Sequence, residues 1–458
     1  MGTDARHPPP GSQRTGARAC LRAAMASTLL LGFGGPGAHS QIVPSVLPQL
    51  PHVDLPLDAG KVLQDVDREL DPQQLVDLRR LKIRDLLRAH PRELEADPHG
   101  APIVRSELLA FDPSEAAMHA AQDAGLSVAR EQVLDGLDTR IVVLRVPEGV
   151  STRRALKRLR TLDPAGTYDY NHIYLESGAA TGLATTATAP GALPLASIEQ
   201  SAVRIGLVDS GIDASHRALR RSTIHAHGCG GQIVPSAHGT EVASLLVGSG
   251  ADLEGAAPGG ELFAADAYCG RATGGAIDTV ADALAWMARE RVPVINVSLV
   301  GPANKALEGV IRLLTARGHI VVAAVGNDGP AAPPLYPAAY ANVIGVTAVD
   351  PRRRVLPEAA RGEQVDFAAP GSQMYAADDH SSLIVVRGTS FAAPIVAGLL
   401  AASLQQPDPA AALHAIDALA QSAVDLGTPG TDHVYGKGLV GESVARRPPG
   451  ITSSGIKP

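Results

Sequence analysis

A chain of 458 residues has room for two or three domains, and 45% apolar with 19% charged residues is a globular composition. A net charge of −7 supplies no basic field for nucleic acid, and five Phe with one Trp leave no base-stacking platform, so the core must be packed by Ala, Val, Leu and Ile.

Arg6, Arg14, Arg18 and Arg22 precede the apolar stretch AAMASTLLLGFGG, and Ala38-His39-Ser40 fits a small-residue cleavage site. This layout predicts a signal peptide over residues 1–40 and a secreted or periplasmic protein; a start at Met25 would remove the basic part. The apolar run is short for a bilayer span and no later run reaches about 18 apolar residues, which predicts no membrane anchor once the leader is removed. Cys20 falls in the leader. Cys229 and Cys269 either pair in an oxidising compartment or stay as buried thiols, and neither has the C-x-x-C partner that a zinc site would need.

Residues 41–100 read as a lead-in rich in Pro, Asp and Leu that ends in an amphipathic helix over 72–90, with Leu75, Leu78, Leu86 and Leu87 on one face. Residues 101–178 form a compact unit: a strand over 102–110, a helix capped by Ser114 and ended by Gly125, two strands of which 141–146 is the clearer, a helix started by Ser151, and a strand over 168–176. The βαββαβ order predicts a small α+β ferredoxin-like sandwich. Residues 179–198 are a linker, uncharged from Gly178 to Leu195. From 199 to 445 near-continuous apolar strands alternate with helices, which predicts an α/β domain: an open, mostly parallel sheet with helices on both faces. Residues 446–458 make a flexible tail.

Ligands of such sheets lie beyond the carboxyl ends of the strands. Asp209 ends one strand, His238 opens a helix, Asn327 follows another strand, and Ser390 opens the helix of RGTSFAAPIVAGLLA. Singly, each has a plain structural reading as a turn former or helix cap. Together they supply what acyl transfer requires: a hydroxyl nucleophile, an imidazole to take its proton, a buried carboxylate to orient the imidazole, and an amide to receive an oxyanion.

The segments LVDSGID, HGTEVA, AAVGNDG and RGTSFAAPIVAG resemble the four signature segments of the subtilisin-like serine proteases, in that family's order Asp, His, Asn, Ser. The resemblance implies a serine endopeptidase acting through an acyl-enzyme, with Asp209, His238 and Ser390 as triad and Asn327 at the oxyanion hole. It implies that polypeptide substrates add as a strand beside Ser298, Leu299, Val300 and Gly301, with Gly326 and Leu335 at the primary pocket. Asp213 and His216 then brace the loop behind Asp209, and VYGKGLV is similar to the family's C-terminal strand. The unit 101–178 is similar to the family's propeptide, an intramolecular inhibitor of a self-processing zymogen cut within the linker. The alternatives are a non-catalytic binding protein of this fold or a protease limited to its own processing. Val300 replaces a usual Gly and would crowd the outer subsites, while Leu335 replaces a small residue and predicts a shallow pocket. No cofactor is certain and no metal ligands are assigned; a structural calcium ion stays open as an alternative, although the loop VGSGADLEG lacks the oxygen density of a calcium cage.

Overall fold

The computed structural model describes residues 72–176, 203–250 and 253–444; the expected leader, most of the lead-in, the linker and the tail lie outside them. Helix α1 (Pro72–Ala89) and the short strand β1 (Leu94–Ala96) lead into β2 (Pro102–Phe111), α2 (Glu115–Asp123), β3 (Ser127–Leu134), β4 (Thr139–Arg145), α3 (Thr152–Leu162) and β5 (Thr167–Glu176). The strands form an antiparallel sheet in the order β5-β2-β4-β3, with β1 along β2, which is the ferredoxin-like arrangement expected. Ser114 caps α2 by accepting the Ala117 N–H at 3.2 Å, whereas Ser151 stands at the head of α3 without a side-chain bond.

Strand alternation explains why this sheet is apolar on both faces. Leu108 and Ala110 of β2 and Val142 and Leu144 of β4 pack on Leu156 and Leu159 of α3. Leu109, Phe111, Ile141 and Val143 point the other way, into a core shared with two helices of the following domain.

That domain comprises β6 (Arg204–Asp209), β7 (Thr223–His227), α4 (Ala237–Val247), β8 (Glu261–Asp266), β9 (Gly275–Ala276), α5 (Ile277–Arg289), β10 (Val294–Val297), β11 (Leu299–Val300), α6 (Lys305–Ala316), β12 (Ile320–Ala324), β13 (Val343–Val349), β14 (Phe367–Pro370), β15 (Ser372–Ala377), β16 (Leu383–Arg387), α7 (Thr389–Ser403) and α8 (Pro409–Ser422). Its central sheet runs β14-β13-β12-β10-β6-β8-β7 with every pair parallel. Ile320, Val322 and Ala324 face the core that holds α4 and α7, and Val321 and Ala323 face the core that holds α5 and α6. The strand order reverses beside β6, the switch point where a parallel sheet opens a crevice.

Several elements escape the sequence reading: β1, β7, β9, β14, the β15–β16 hairpin and α8. Among the described residues the segment expected as a C-terminal strand makes isolated bridges alone, Leu439 with Ala368 and with Val424 and Gly436 with Asp432. Its glycines explain this: Gly436 and Gly438 have φ of +61° and +121°, which interrupt an extended run. Among the described residues no helix is long and apolar enough to cross a membrane.

Candidate active site

Asp209 is the last residue of β6 and is fully buried. Its Oδ1 accepts the Ser210 N–H at 2.7 Å and lies 2.8 Å from Nδ1 of His238, the second residue of α4. A helix start is brought this close to a strand end by Gly239: a Cβ there would meet the Ser210 carbonyl oxygen at 2.3 Å. Oδ2 of Asp209 and Nε2 of His238 are buried without a hydrogen-bond partner among the described residues. Burial alone would lower the His238 pKa, but the carboxylates of Asp209, Glu176 and Glu241 outweigh it and raise it to about 9.

Ser390 is the second residue of α7, a helix packed almost entirely by Ala, Val, Ile and Leu. Its neighbour Thr389 donates its backbone N–H to Asn327 Oδ1 at 3.0 Å, which fixes the plane of that amide, and Thr389 Oγ1 accepts the Gly326 N–H at 3.2 Å. Pro394 lies inside α7 and has no N–H to offer the Ser390 carbonyl four residues back. The Ser298 hydroxyl takes that place at 3.3 Å and is itself held by Asn296 Nδ2 at 2.8 Å. Ser298→Ala is therefore expected to cost about 1 kcal/mol of stability and to lower kcat more than KM, since it loosens the turn that carries Ser390; denaturant midpoints and steady-state kinetics check it.

The expected substrate-side residues are gathered in one cleft. Leu299 and Val300 form β11, and Gly301 exchanges both backbone hydrogen bonds with Tyr336 at 2.9 Å. Leu335 fills the space against Gly326, where an added Cβ would meet its Cδ1 at 2.5 Å. The cleft is occupied: β5 runs antiparallel between two strands, with Tyr174 opposite Gly275, Ile173 opposite Ala276, Leu175 opposite Val300 and Glu176 opposite Leu299. Val300 thus lies in a regular ladder, with an extended chain paired beside it. Gly301 admits the Tyr174 ring, which a Cβ would meet at 2.2 Å, and the Tyr174 hydroxyl donates to the Pro302 carbonyl at 2.6 Å.

Asp213 and His216 brace their loop as expected: Asp213 Oδ1 accepts from Ser215 N–H and Oγ–H, and His216 Nδ1 accepts the Ala218 N–H. Cys229 and Cys269 form a disulfide with Cα atoms 5.1 Å apart. Four residues escape the sequence reading. Glu176 offers a carboxylate oxygen that lies within 4.8 Å of ligand atoms on Asp209 and His238. Glu241, one turn beyond His238, is buried with neither carboxylate oxygen hydrogen-bonded among the described residues, and burial above all pushes its pKa up to about 7. Asp328, next to Asn327, is paired with Arg79 of α1 at 3.0 Å. Tyr268 donates its N–H to the Asp266 carboxylate at 2.9 Å, and its ring lies beside Gly275 of β9, where an added Cβ would meet its Cδ1 at 3.3 Å. HGTEVA does print Glu241 three residues after the histidine, a spacing that puts both on one helix face; the others meet the site only through long-range packing.

Residues 200–438, more than half of the chain, match the sequence profile of the subtilase family. The minor extracellular protease Epr of Bacillus subtilis (strain 168) is 31% identical over 207 residues, covering 44% of this chain, which spans only 32% of that longer protein. Subtilisin DY of Bacillus licheniformis is 30% identical over 251 residues (53% of this chain, 90% of the relative), and subtilisin BL of Lederbergia lenta 33% over 259 residues (54% and 91%). Among solved structures, fervidolysin from Fervidobacterium pennivorans superposes with a TM-score of 0.61 at 19% identity over 75% of this chain and 61% of its own, a likeness of fold.

Proposed function

The chain belongs to the subtilase family and is a serine-type endopeptidase; on that premise we propose that it is an exported, self-processing zymogen whose residues 101–178 hold shut the cleft of the domain spanning 199–445. Ser390 attacks the scissile carbonyl while His238 Nε2 takes its proton, and Asp209 stabilises the imidazolium through Nδ1. The Asn327 amide and the Ser390 backbone N–H receive the oxyanion at the N-terminus of α7, where the helix dipole adds to both. His238 then returns the proton to the leaving amine, and water repeats the sequence on the acyl-enzyme. No step needs a cofactor.

The observation that carries the zymogen reading is the seating of β5 as an added strand between β9 and β11, its last residue against His238. Main-chain pairing makes binding largely sequence-independent, so polypeptides in general are the substrate class. Glu176 pairs with Leu299, and Ser298, one residue before Leu299, reaches the Ser390 carbonyl, so the described strand ends beside the nucleophile. We assign the processed bond to Ser177–Gly178, and Leu335 beneath Gly326 suits a side chain as small as serine. Export rests on the basic-then-apolar layout of residues 1–40 and on the Cys229–Cys269 disulfide.

Expression of the chain from Gln41, mass analysis and treatment with a fluorophosphonate test this. The expected result is a fragment ending at Ser177 and a label on the peptide containing Ser390. A cut elsewhere within residues 178–195 overturns the assigned bond alone, and neither cut nor label overturns the zymogen reading.

A further inference from the structure

The inhibitory strand carries an acid to the place where an acid does most to the base. Alternate side chains of β5 share a face, so the turn of the strand that buries Tyr174 also sends Glu176 toward the imidazole. One atom each of Glu176, Asp209 and His238 lie within 4.8 Å of one another, and His238 Nδ1 is 2.8 Å from Asp209 Oδ1. No Arg or Lys forms an ion pair with Glu176 among the described residues, so its charge is not spent elsewhere in the strand. The imidazole thus faces Asp209 from β6, Glu176 from β5 and Glu241 from its own helix, with the Phe391 ring of α7 at 5.6 Å. Tyr268 faces Glu176 from the loop after β8, and Asp379 faces Glu241 from the β15–β16 turn.

We propose that Glu176 is a positioning residue that holds His238 as the imidazolium, so that a strand with an acid at this position is kept as an inhibitor and a strand with a neutral side chain there is cut. The inference rests on the roles given above to Asp209, His238 and Ser390. An imidazolium has no lone pair for the Ser390 hydroxyl proton, so the nucleophile stays protonated while the acid is in place. Deprotonation of His238 as the pH rises, or departure of the strand after a first cut, restores the base. The sign follows from charge: a carboxylate within about 4–6 Å favours the cationic ring by about 1–3 pH units, and its loss moves the titration down. The raised value of about 9 for His238 agrees with two carboxylates acting on one ring beside Glu241. The proposal deepens the substrate class: among extended polypeptides, those acidic at the position of Glu176 bind and are hydrolysed slowly at neutral pH.

The test uses the full chain from Gln41. In a Ser390→Ala background, which keeps the strand uncut, NMR reads the titration of the His238 ring with Glu176 intact and as Glu176→Gln, Glu176→Leu and Glu176→Asp. The midpoint is expected to fall by about one unit or more for Gln and Leu and to stay near the native value for Asp. In the Ser390 chain, loss of the intact polypeptide is expected to rise with pH through the same midpoint, and to be about tenfold or more faster at pH 7 for Glu176→Gln. Equal ring titrations with Glu176 intact and in Glu176→Gln overturn the proposal, because a residue that merely packs would not move that midpoint. A native chain that neither cuts itself nor takes a fluorophosphonate overturns the zymogen reading instead, and the ring titration still decides this one.

Discussion

Ser390→Ala, His238→Ala and the double variant are expected to lower kcat by the same factor, about 10⁶, and not by the product of two such factors. The reason is geometric. His238 Nδ1 is already committed to Asp209 at 2.8 Å, so the ring has one task left, the proton of Ser390. With the hydroxyl gone there is nothing to deprotonate; with the ring gone the hydroxyl is not a nucleophile at neutral pH. Asp209→Asn is expected to cost less, about 10⁴, because the ring stays in place but in the wrong tautomer. What survives all of these changes is the contribution of Asn327 and the α7 N-terminus, about 10³–10⁴ over water as in subtilisin. Kinetics on a peptide amide, with each variant freed of its N-terminal segment by an added protease, check the pattern. A double variant a further 10³-fold below either single one would mean that Ser390 and His238 act independently.

The sequence displays the chemistry of this site more openly than its regulation. Asp209, His238, Asn327 and Ser390 sit at element ends, where an apolar strand or helix frames one polar residue and makes it legible. Pro394 is visible in the sequence, but that Ser298 replaces its missing hydrogen bond is a meeting of residues 92 positions apart. The ferredoxin-like unit is legible because its strands alternate and its helices carry caps. Its docking face is not, because Leu109, Phe111, Ile141 and Val143 look in sequence like one more set of core residues; only the packing shows that their partners are α5 and α6. Glu176 and Asp328 are ordinary surface-type acids in sequence, and become notable only beside His238 and Arg79. For Val300 the sequence shows only the side chain, whereas the pairing of its backbone with Leu175 is visible only in the fold.

Arg130→Ala is expected to weaken the hold of residues 101–178 on the following domain by about 3–5 kcal/mol, or roughly 10²- to 10³-fold and more in retention. Arg130 lies on β3 and reaches across the junction, donating from Nη1 to Glu107 Oε1 at 2.9 Å, from Nη2 to Glu107 Oε2 at 2.8 Å and from Nε to Asp278 Oδ2 at 2.8 Å. Asn171 Nδ2 donates to both carboxylates at 3.0 Å, and the Asp278 N–H at the head of α5 donates back to Asn171 Oδ1. Both acids are nearly inaccessible, at 3% exposure each, so removing the guanidinium leaves two buried charges to the neutral Asn171 amide, with Arg145 the cation still bonded to Glu107. By contrast Arg317→Ala breaks a pair with Asp138, whose side chain is 87% exposed, and is expected to cost less than about 1 kcal/mol. The pH dependence follows: burial raises the Glu107 pKa, but Arg130 and Asn171 outweigh it and hold the carboxyl below its ordinary 4.5. Its contribution is therefore complete above that value and fades as the pH falls through the lowered one. Hydrogen exchange of the β5 amides in a Ser390→Ala background reads the grip directly, since residues 173–176 are protected only while the strand is seated between β9 and β11. Exchange in Arg130→Ala no faster than in Arg317→Ala would show that the apolar face of the sheet carries the docking alone.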